Sequence, residues 1–341
     1  MHKIIFKMKK YLFLFYCIVI SMSAHAQLSW ENLDALYQPL PSSVHIYKST
    51  GSINGKLNVV YYVIADLKDK SLNFTADTTY KRRLTPSQFF EKDNHPLLVV
   101  NSCFFSFTTN QNLNVVEKSG RLVGYNVHTI AGRKKDTLTY YHSFDGAFGI
   151  SKNRTADVAW VYTDSSKKYP YASEFAIPFM HDSVNNHSFD DIKKSTSLVL
   201  RHTGKSVPSF KKWKVKTAVG GGPVLVQDNK VQISNNEERK FFGNAINDYH
   251  PRTAIGYTND NKIIILVAEG RSKTAIGLTL KQEAQILKDL GCKEALNLDG
   301  GGSTCMLVNG KQTNIPSDKE GERAVPSVFL IQKNNSYIGS R

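Results

Sequence analysis

Apolar positions along this chain come in short alternating or continuous runs, the pattern of strands rather than of helices. Leu57 to Asp66 is rich in β-branched and aromatic residues and predicts a strand. Further strands are predicted at 97–100, 138–142, 146–151, 157–162, 215–219, 224–226, 231–233, 252–257, 263–268, 295–298, 306–308 and 325–331. Val115 to Val127 reads as a hairpin turning at Ser119-Gly120, and Asn309-Gly310 as a second hairpin turn. Helical periodicity is confined to two places. Thr85-Pro86 opens a short helix through Phe90, and Thr279 caps a helix carrying Leu280, Ala284, Leu287 and Leu290, with Gly291 as its stop. Residues 164–195 are polar and irregular and predict a surface insertion or long loop.

No internal repeat, low-complexity tract or linker divides the chain, so one α+β domain is expected over residues 27–341. Its core is expected to be a strongly bent mixed β-sheet with a few flanking helices. The first 26 residues are read separately. Lys3, Lys7, Lys9 and Lys10 precede an apolar run from Tyr11 to Ile20, and Ala24-His25-Ala26 is a small-x-small cleavage site. This is a secretory signal peptide, cleaved after Ala26, and it predicts a secreted or periplasmic protein with no stable membrane insertion. A retained signal anchor is the alternative. Cys17 lies in the apolar run without the small residues of a lipoprotein site.

Composition refines this picture. Hydrophobic residues make up 41% and charged residues 21%, in the range of a globular protein with a sizeable core. The formal charge of +15 falls to +11 on removal of 1–26, which hold four lysines and no acid. An exported basic protein meets anionic glycans rather than nucleic acid; solvated surface lysines such as Lys134-Lys135 and Lys211-Lys212 explain the same charge. Cys103, Cys292 and Cys305 remain after cleavage, either as one disulfide plus a thiol or as three reduced thiols. Their spacing matches no zinc pattern, and no loop of alternating carboxylates is present, so no metal and no cofactor is assigned. Oligomeric state is left open.

Four strand ends carry polar residues: Asn101, the Gly220–Gly222 loop, Arg252 with Glu269, and Asp299. The last leads into Gly300-Gly301-Gly302-Ser303-Thr304, where glycines let the backbone approach a ligand and hydroxyls add donors. Each has a plainer reading: Asp299 as a turn residue, Gly220–Gly222 as a sheet corner, Arg252 and Glu269 as an ion pair across a hairpin, Asn101 as a strand cap. Phe104, Phe105 and Phe107 read as core, Cys103 as a buried inert thiol, and His250 as a residue at a cleft edge or on the surface.

The order Pro251-Arg252-Thr253-Ala254-Ile255-Gly256, Val267-Ala268-Glu269-Gly270-Arg271, Ile276-Gly277-Leu278-Thr279-Leu280 and Leu296-Asn297-Leu298-Asp299-Gly300-Gly301-Gly302-Ser303-Thr304 resembles the phosphodiester glycosidase family. Gly220-Gly221-Gly222-Pro223-Val224-Leu225 and Arg323-Ala324-Val325-Pro326-Ser327 fit it as well. The resemblance is strong over 215–332 and weaker over 57–150. The family usually has glycines where Ser102 and Cys103 stand, and Asp where Glu269 stands. What the resemblance implies is hydrolysis of a sugar-1-phosphodiester, with an N-acetylhexosamine phosphate in a glycan or cell-surface polymer as the substrate class. Asp299 and Glu269 would then be the catalytic carboxylates. Arg252 and Arg271 would grip the phosphate, with Gly221, Gly222, Gly300, Gly301, Gly302, Ser303 and Thr304 around it and Asn101 on the sugar. A secreted binding module for carbohydrate or surface polymer, without catalysis, is the alternative.

Overall fold

The computed structural model describes residues 28–202 and 209–334, so the signal peptide and Cys17 lie outside the described residues. Four antiparallel sheets account for most of it. The largest has eight strands. Its centre runs Val44–Ile53, Lys56–Asp66, Lys262–Ala268, Arg252–Thr258, Cys292–Asn297 and Val224–Gln227 in spatial order. A seven-stranded sheet is centred on Ala156–Tyr162, Asp145–Ser151 and Val215–Gly220, and a five-stranded sheet on Met306–Val308, Leu98–Asn101, Ser327–Lys333 and Leu72–Thr78. Every strand pairing among the described residues is antiparallel, so the bent sheet core of the expected α+β fold is not of mixed direction. Hairpins between neighbouring runs, as at Asn259–Asn261, favour that outcome over crossovers.

Strand alternation explains how the sheets stack. In Arg252–Thr258, Ile255 and Tyr257 face the central core, whereas Ala254 faces the other side. Lys262–Ala268 follows suit: Ile263, Ile265 and Val267 face the core, and Ile264, Leu266 and Ala268 face away. The central core lies between this sheet and the other two large ones, taking in Phe148, Trp160, Val219, Leu98, Val100 and Phe329. The outer face of the eight-stranded sheet is covered by the helix Leu280–Asp289 through Leu280, Ala284 and Leu287. The outer face of the five-stranded sheet carries the helix Pro86–Lys92, packed through Phe89 on Val99 and Leu330. Register shifts at Tyr257/Thr258, Val224/Val226 and Ile150/Ser151 add local bend and twist.

Residues 164–195 are more ordered than a loop. Tyr171–Ser173 joins the seven-stranded sheet, Met180–Asp182 pairs with Tyr140–His142, and Phe189–His202 is a helix. Cys103, Cys292 and Cys305 are buried free thiols, so the disulfide alternative falls. Among the described residues no helix is long and apolar enough to cross a membrane.

Candidate functional site

The residues around Asp299 are held by backbone. The Leu298 amide donates to the Thr253 carbonyl at 2.8 Å, and the Asp299 amide to the Ser102 carbonyl at 2.8 Å. Asn101, fully buried at the end of Leu98–Asn101, fixes the same point from its side chain. Its Nδ2 donates to the Asp299 carbonyl at 2.5 Å, while Oδ1 accepts from Thr253 Oγ1 at 3.0 Å and from the Cys305 amide at 3.1 Å. Thr253 Oγ1 also reaches Thr304 Oγ1 at 3.2 Å. The strands Leu98–Asn101 and Arg252–Thr258, Cys305 just ahead of Met306–Val308, and the glycine loop are thus joined through one amide side chain.

Three of the glycine amides, those of Gly301, Gly221 and Gly222, are taken up by backbone carbonyls. Gly301 donates to the Pro251 carbonyl at 2.8 Å, and Ser303 and Thr304 donate to Gly300 and Gly301, closing a short 3-10 turn at Gly301–Ser303. Gly221 donates to the Gly146 carbonyl and Gly222 to that of Asn297. The glycines also allow close approach. Gly301 has φ +63°, and a Cβ there would lie 3.1 Å from Arg271 Nη2. A Cβ on Gly302 would lie 2.1 Å from both Arg323 Nη2 and Asp318 Oδ1. The Arg271 guanidinium and the Arg323–Asp318 ion pair therefore lie directly against the loop.

Arg323 is the residue that strand patterns did not single out as a ligand group. Its Nε and Nη2 grip Asp318 at 2.7 and 2.9 Å, Nη1 points to Ser303 Oγ at 3.5 Å, and the guanidinium sits 5.3 Å from the Phe107 ring. Arg83 covers the same ring at 5.5 Å. Phe105 is buried, but Phe107 is 62% exposed, so it is a surface ring between two cations rather than core. Arg271 is exposed, and its Nη2 lies 3.2 Å from His250 Nδ1. Burial and the neighbouring Arg252 and Arg271 hold His250 below its ordinary range, against the opposing pull of Asp248.

Asp299 is half-buried and crowded by protein atoms. That desolvation pushes its carboxyl up to about 7, against the opposing pull of the Ser303 hydroxyl, the Arg323 guanidinium and the Gly300 amide. A carboxyl titrating near neutrality beside a guanidinium is a pairing suited to acid–base or nucleophilic work on an anionic substrate. Glu269 follows Lys262–Ala268 on its core-facing side and is buried. Burial raises its carboxyl, opposed by the Ile315 amide, which donates to Oε1 at 2.9 Å, and by Lys48.

Arg252 is directed elsewhere. It takes the same face as Ala254, away from Thr253. Its Nε donates to the Leu278 carbonyl at 2.9 Å and its Nη2 to the Asp248 carbonyl at 3.0 Å, and its guanidinium lies 5.6 Å from the Phe241 ring. Its buried charge neighbour is Glu283, not Glu269. The structure thus gathers Asn101, Arg271, Asp299, Gly300–Gly302, Ser303 and Thr304 around one loop. It brings Gly221 and Gly222 to the loop's flank through Asn297, and sets Arg252 beneath the sheet. Cys103 is buried, and its thiol is pushed up to about 11, as an inert thiol would be.

A family model described as phosphodiester glycosidase matches residues 94–332. Among curated proteins, N-acetylglucosamine-1-phosphodiester alpha-N-acetylglucosaminidase of Mus musculus is 29% identical over 101 residues, 29% of this chain and 19% of that protein. An uncharacterized SPbeta prophage-derived protein of Bacillus subtilis (strain 168) is 38% identical over 96 residues, 28% of this chain and 15% of that protein. The matched stretches cover less than a fifth of these relatives' length. Among solved structures, the zebrafish N-acetylglucosamine-1-phosphodiester alpha-N-acetylglucosaminidase catalytic domain, auto-inhibited by its pro-peptide, superposes with a TM-score of 0.56 at 19% identity, covering 91% of this chain and 90% of that one. A hypothetical protein from Synechocystis gives 0.57 at 14% identity, covering 91% of this chain and 64% of that one. At these identities the structural likeness speaks for the fold alone.

Proposed function

The chain belongs to the phosphodiester glycosidase family, and from that premise we propose that it is an exported hydrolase that cleaves a sugar-1-phosphodiester at the anomeric carbon. Relatives named for N-acetylglucosamine-1-phosphodiester make that ester, in a glycan or cell-surface polymer, the first substrate to test. The observation that supports the reading is the desolvated Asp299 carboxyl, flanked by Ser303, the Gly300 amide and Arg323, on a residue whose backbone is clamped by Asn101 and Ser102.

In this reading the C1–O bond breaks and the phosphate monoester leaves with the electron pair. Such a leaving group is already acidic, so neutralising its charge matters more than protonating it. Arg323 and Arg271 supply that neutralisation beside the glycine turn. Asp299 faces the sugar side, where a carboxylate steadies oxocarbenium-like charge and directs the incoming nucleophile or water. Glu269 is the second carboxylate, and exposed Phe107 offers a ring face next to the cations. Export follows in this proposal from the segment 1–26.

The test is incubation of the purified chain with a panel of sugar-1-phosphodiesters and analysis of the released sugar. Asp299→Asn is expected to abolish release while leaving the melting temperature nearly unchanged. Release at the parent rate by Asp299→Asn would remove Asp299 from the chemistry.

A further inference from the structure

The insertion 164–195 builds a second cluster of ligating groups, separate from the Asp299 loop. Met180–Asp182 lies antiparallel to Tyr140–His142, with Met180 opposite His142 and Asp182 opposite Tyr140. Asp182 and His142 therefore sit on one face of the small three-stranded sheet. The chain then turns, and His187 returns to the same carboxylate. Asp182 Oδ2 lies 2.9 Å from His187 Nε2, and Oδ1 lies 3.5 Å from His142 Nε2. One ligand atom from each residue falls within 4.8 Å of the others. The two imidazoles meet nearly at right angles, 87° with centroids 4.7 Å apart, so they are not stacked face to face.

We propose that His142, Asp182 and His187 bind a divalent transition metal ion of the zinc type, with the remaining coordination position turned to the adjoining cavity. Zinc holds imidazole nitrogen and carboxylate oxygen at ~2.0–2.2 Å in a tetrahedral array, which puts neighbouring ligand atoms about 3.4 Å apart. The Asp182 oxygens stand 2.9 and 3.5 Å from the two Nε2 atoms, and one ligand atom from each residue lies within 4.8 Å of the others, so side-chain rotation has to draw the three donors onto the ion. The donor set also matches the metal: imidazole suits zinc, whereas calcium and magnesium prefer oxygen alone.

The surroundings support a built site. His142 is 2% exposed, and its Nδ1 lies 3.1 Å from Thr129 Oγ1 on the neighbouring strand. That outer hydrogen bond is what a ligating histidine needs to fix its tautomer and aim Nε2 at the ion. The Val184 carbonyl oxygen stands 3.0 Å from the same Nε2. Without an ion Nε2–H can donate there while Nδ1 accepts from the Thr129 hydroxyl; with one, the ring takes the Nδ1–H tautomer, which donates to Thr129 Oγ1 and frees Nε2 for the metal. Both histidines line a cavity of about 640 Å³, shared with Asn185, Asn186 and Asp164 of the insertion. A water or an anionic ligand oxygen has access to the ion from that side. Because His142 comes from the strand Tyr140–His142 and both Asp182 and His187 from the insertion, binding would pin the insertion along the cavity wall.

The experiment is a zinc titration of the purified, chelator-dialysed protein, read by calorimetry and by metal content after gel filtration. Cobalt(II) substitution supplies an optical signature of tetrahedral nitrogen and oxygen ligands. One ion per chain, proton release on binding and a raised melting temperature are expected. Asp182→Asn and His187→Ala are expected to lose stoichiometric binding while remaining folded by circular dichroism, since both side chains are partly exposed. Thr129→Val is expected to weaken binding about tenfold or more with the ligands intact. Unchanged stoichiometric binding in Asp182→Asn and His187→Ala, preference for calcium or magnesium over zinc, or no binding by the parent protein would each overturn the assignment. None of these outcomes depends on what Asp299 does.

Discussion

At the scale of single residues, a period of two decides which groups meet the glycine loop. Arg252 and Thr253 are neighbours in an apolar run, and the sequence shows both. Alternation sends Thr253 to Asn101 and Thr304, and Arg252 to the carbonyls of Leu278 and Asp248. Nothing in the local pattern says which face of the strand carries the site. Asp299 and Arg271 are legible because glycines surround them; Arg323 lies in an irregular segment, and only its place in the closing Arg323–Ser327 motif points to it. Arg323 uses a planar fork, two nitrogens on Asp318 and a third toward Ser303. Lysine keeps the charge and loses the fork. Arg323→Lys is therefore expected to lower turnover of a sugar-1-phosphodiester about tenfold or more, ~1.4 kcal/mol of barrier, with a much smaller loss on an uncharged aryl glycoside. Parallel kinetics on the two substrates decide this. Equal losses would assign Arg323 to holding the loop through Asp318 rather than to the leaving phosphate.

At the scale of elements, the strongest local signals carry through to the fold. Thr85 and Thr279 each form a capping box, with Gln88 and Gln282 three residues on, and Gly291 with φ +86° follows the second helix. The strands Val44–Ile53 and Leu72–Thr78 escape the apolar pattern. The first ends in Ser-Thr-Gly-Ser-Ile and the second carries Asn, Thr and Asp among its apolar residues, so neither has a clean apolar run. Sheet neighbours stabilise them: Val44–Ile53 pairs along its whole length with Lys56–Asp66. The helix Phe189–His202 is hidden by polarity. Its start is nonetheless encoded, because Ser188 Oγ accepts from the Asp191 amide at 3.2 Å while the Asp191 carboxylate accepts from the Ser188 amide at 3.2 Å. The capped helix Leu280–Asp289 covers the outer face of the eight-stranded sheet, below the site strands. Thr279→Ala removes the hydrogen bond to the Gln282 amide and is expected to cost about 1 kcal/mol, seen as a lower urea midpoint with an unchanged denaturant slope. A midpoint equal to that of the parent would mean that packing alone holds the helix start.

At the scale of the whole molecule, stacked sheets enclose acids that no strand pattern reveals. Glu238 is fully buried and joins segments far apart in the chain: it accepts from the Gly146 and Val224 amides at 2.9 Å and from Trp160 Nε1 at 3.1 Å. Burial pushes its carboxyl up to about 7. Glu117 is likewise raised by burial to about 7. Glu283, a fully buried residue of the helix Leu280–Asp289, is raised by burial to about 8, and Arg252 only partly offsets this. Each group holds its proton in the folded chain to a higher pH than in the unfolded chain. The stability they confer is therefore full below about 4.5 and is lost as pH climbs through about 7 to 8. The protein should melt at lower temperature at pH 9 than at pH 6. Glu283→Gln removes one of these titrating carboxyls while keeping the shape, so it should match the parent near pH 6. By pH 9 it should exceed the parent by roughly 1–3 kcal/mol, because a tenfold difference in proton affinity between folded and unfolded chains is worth ~1.4 kcal/mol. Thermal melts of both proteins across that range test the point. A variant weaker than the parent at every pH would mean that Glu283 is ionised and paired with Arg252, and that the strand's arginine is anchored by charge rather than by the carbonyls of Leu278 and Asp248.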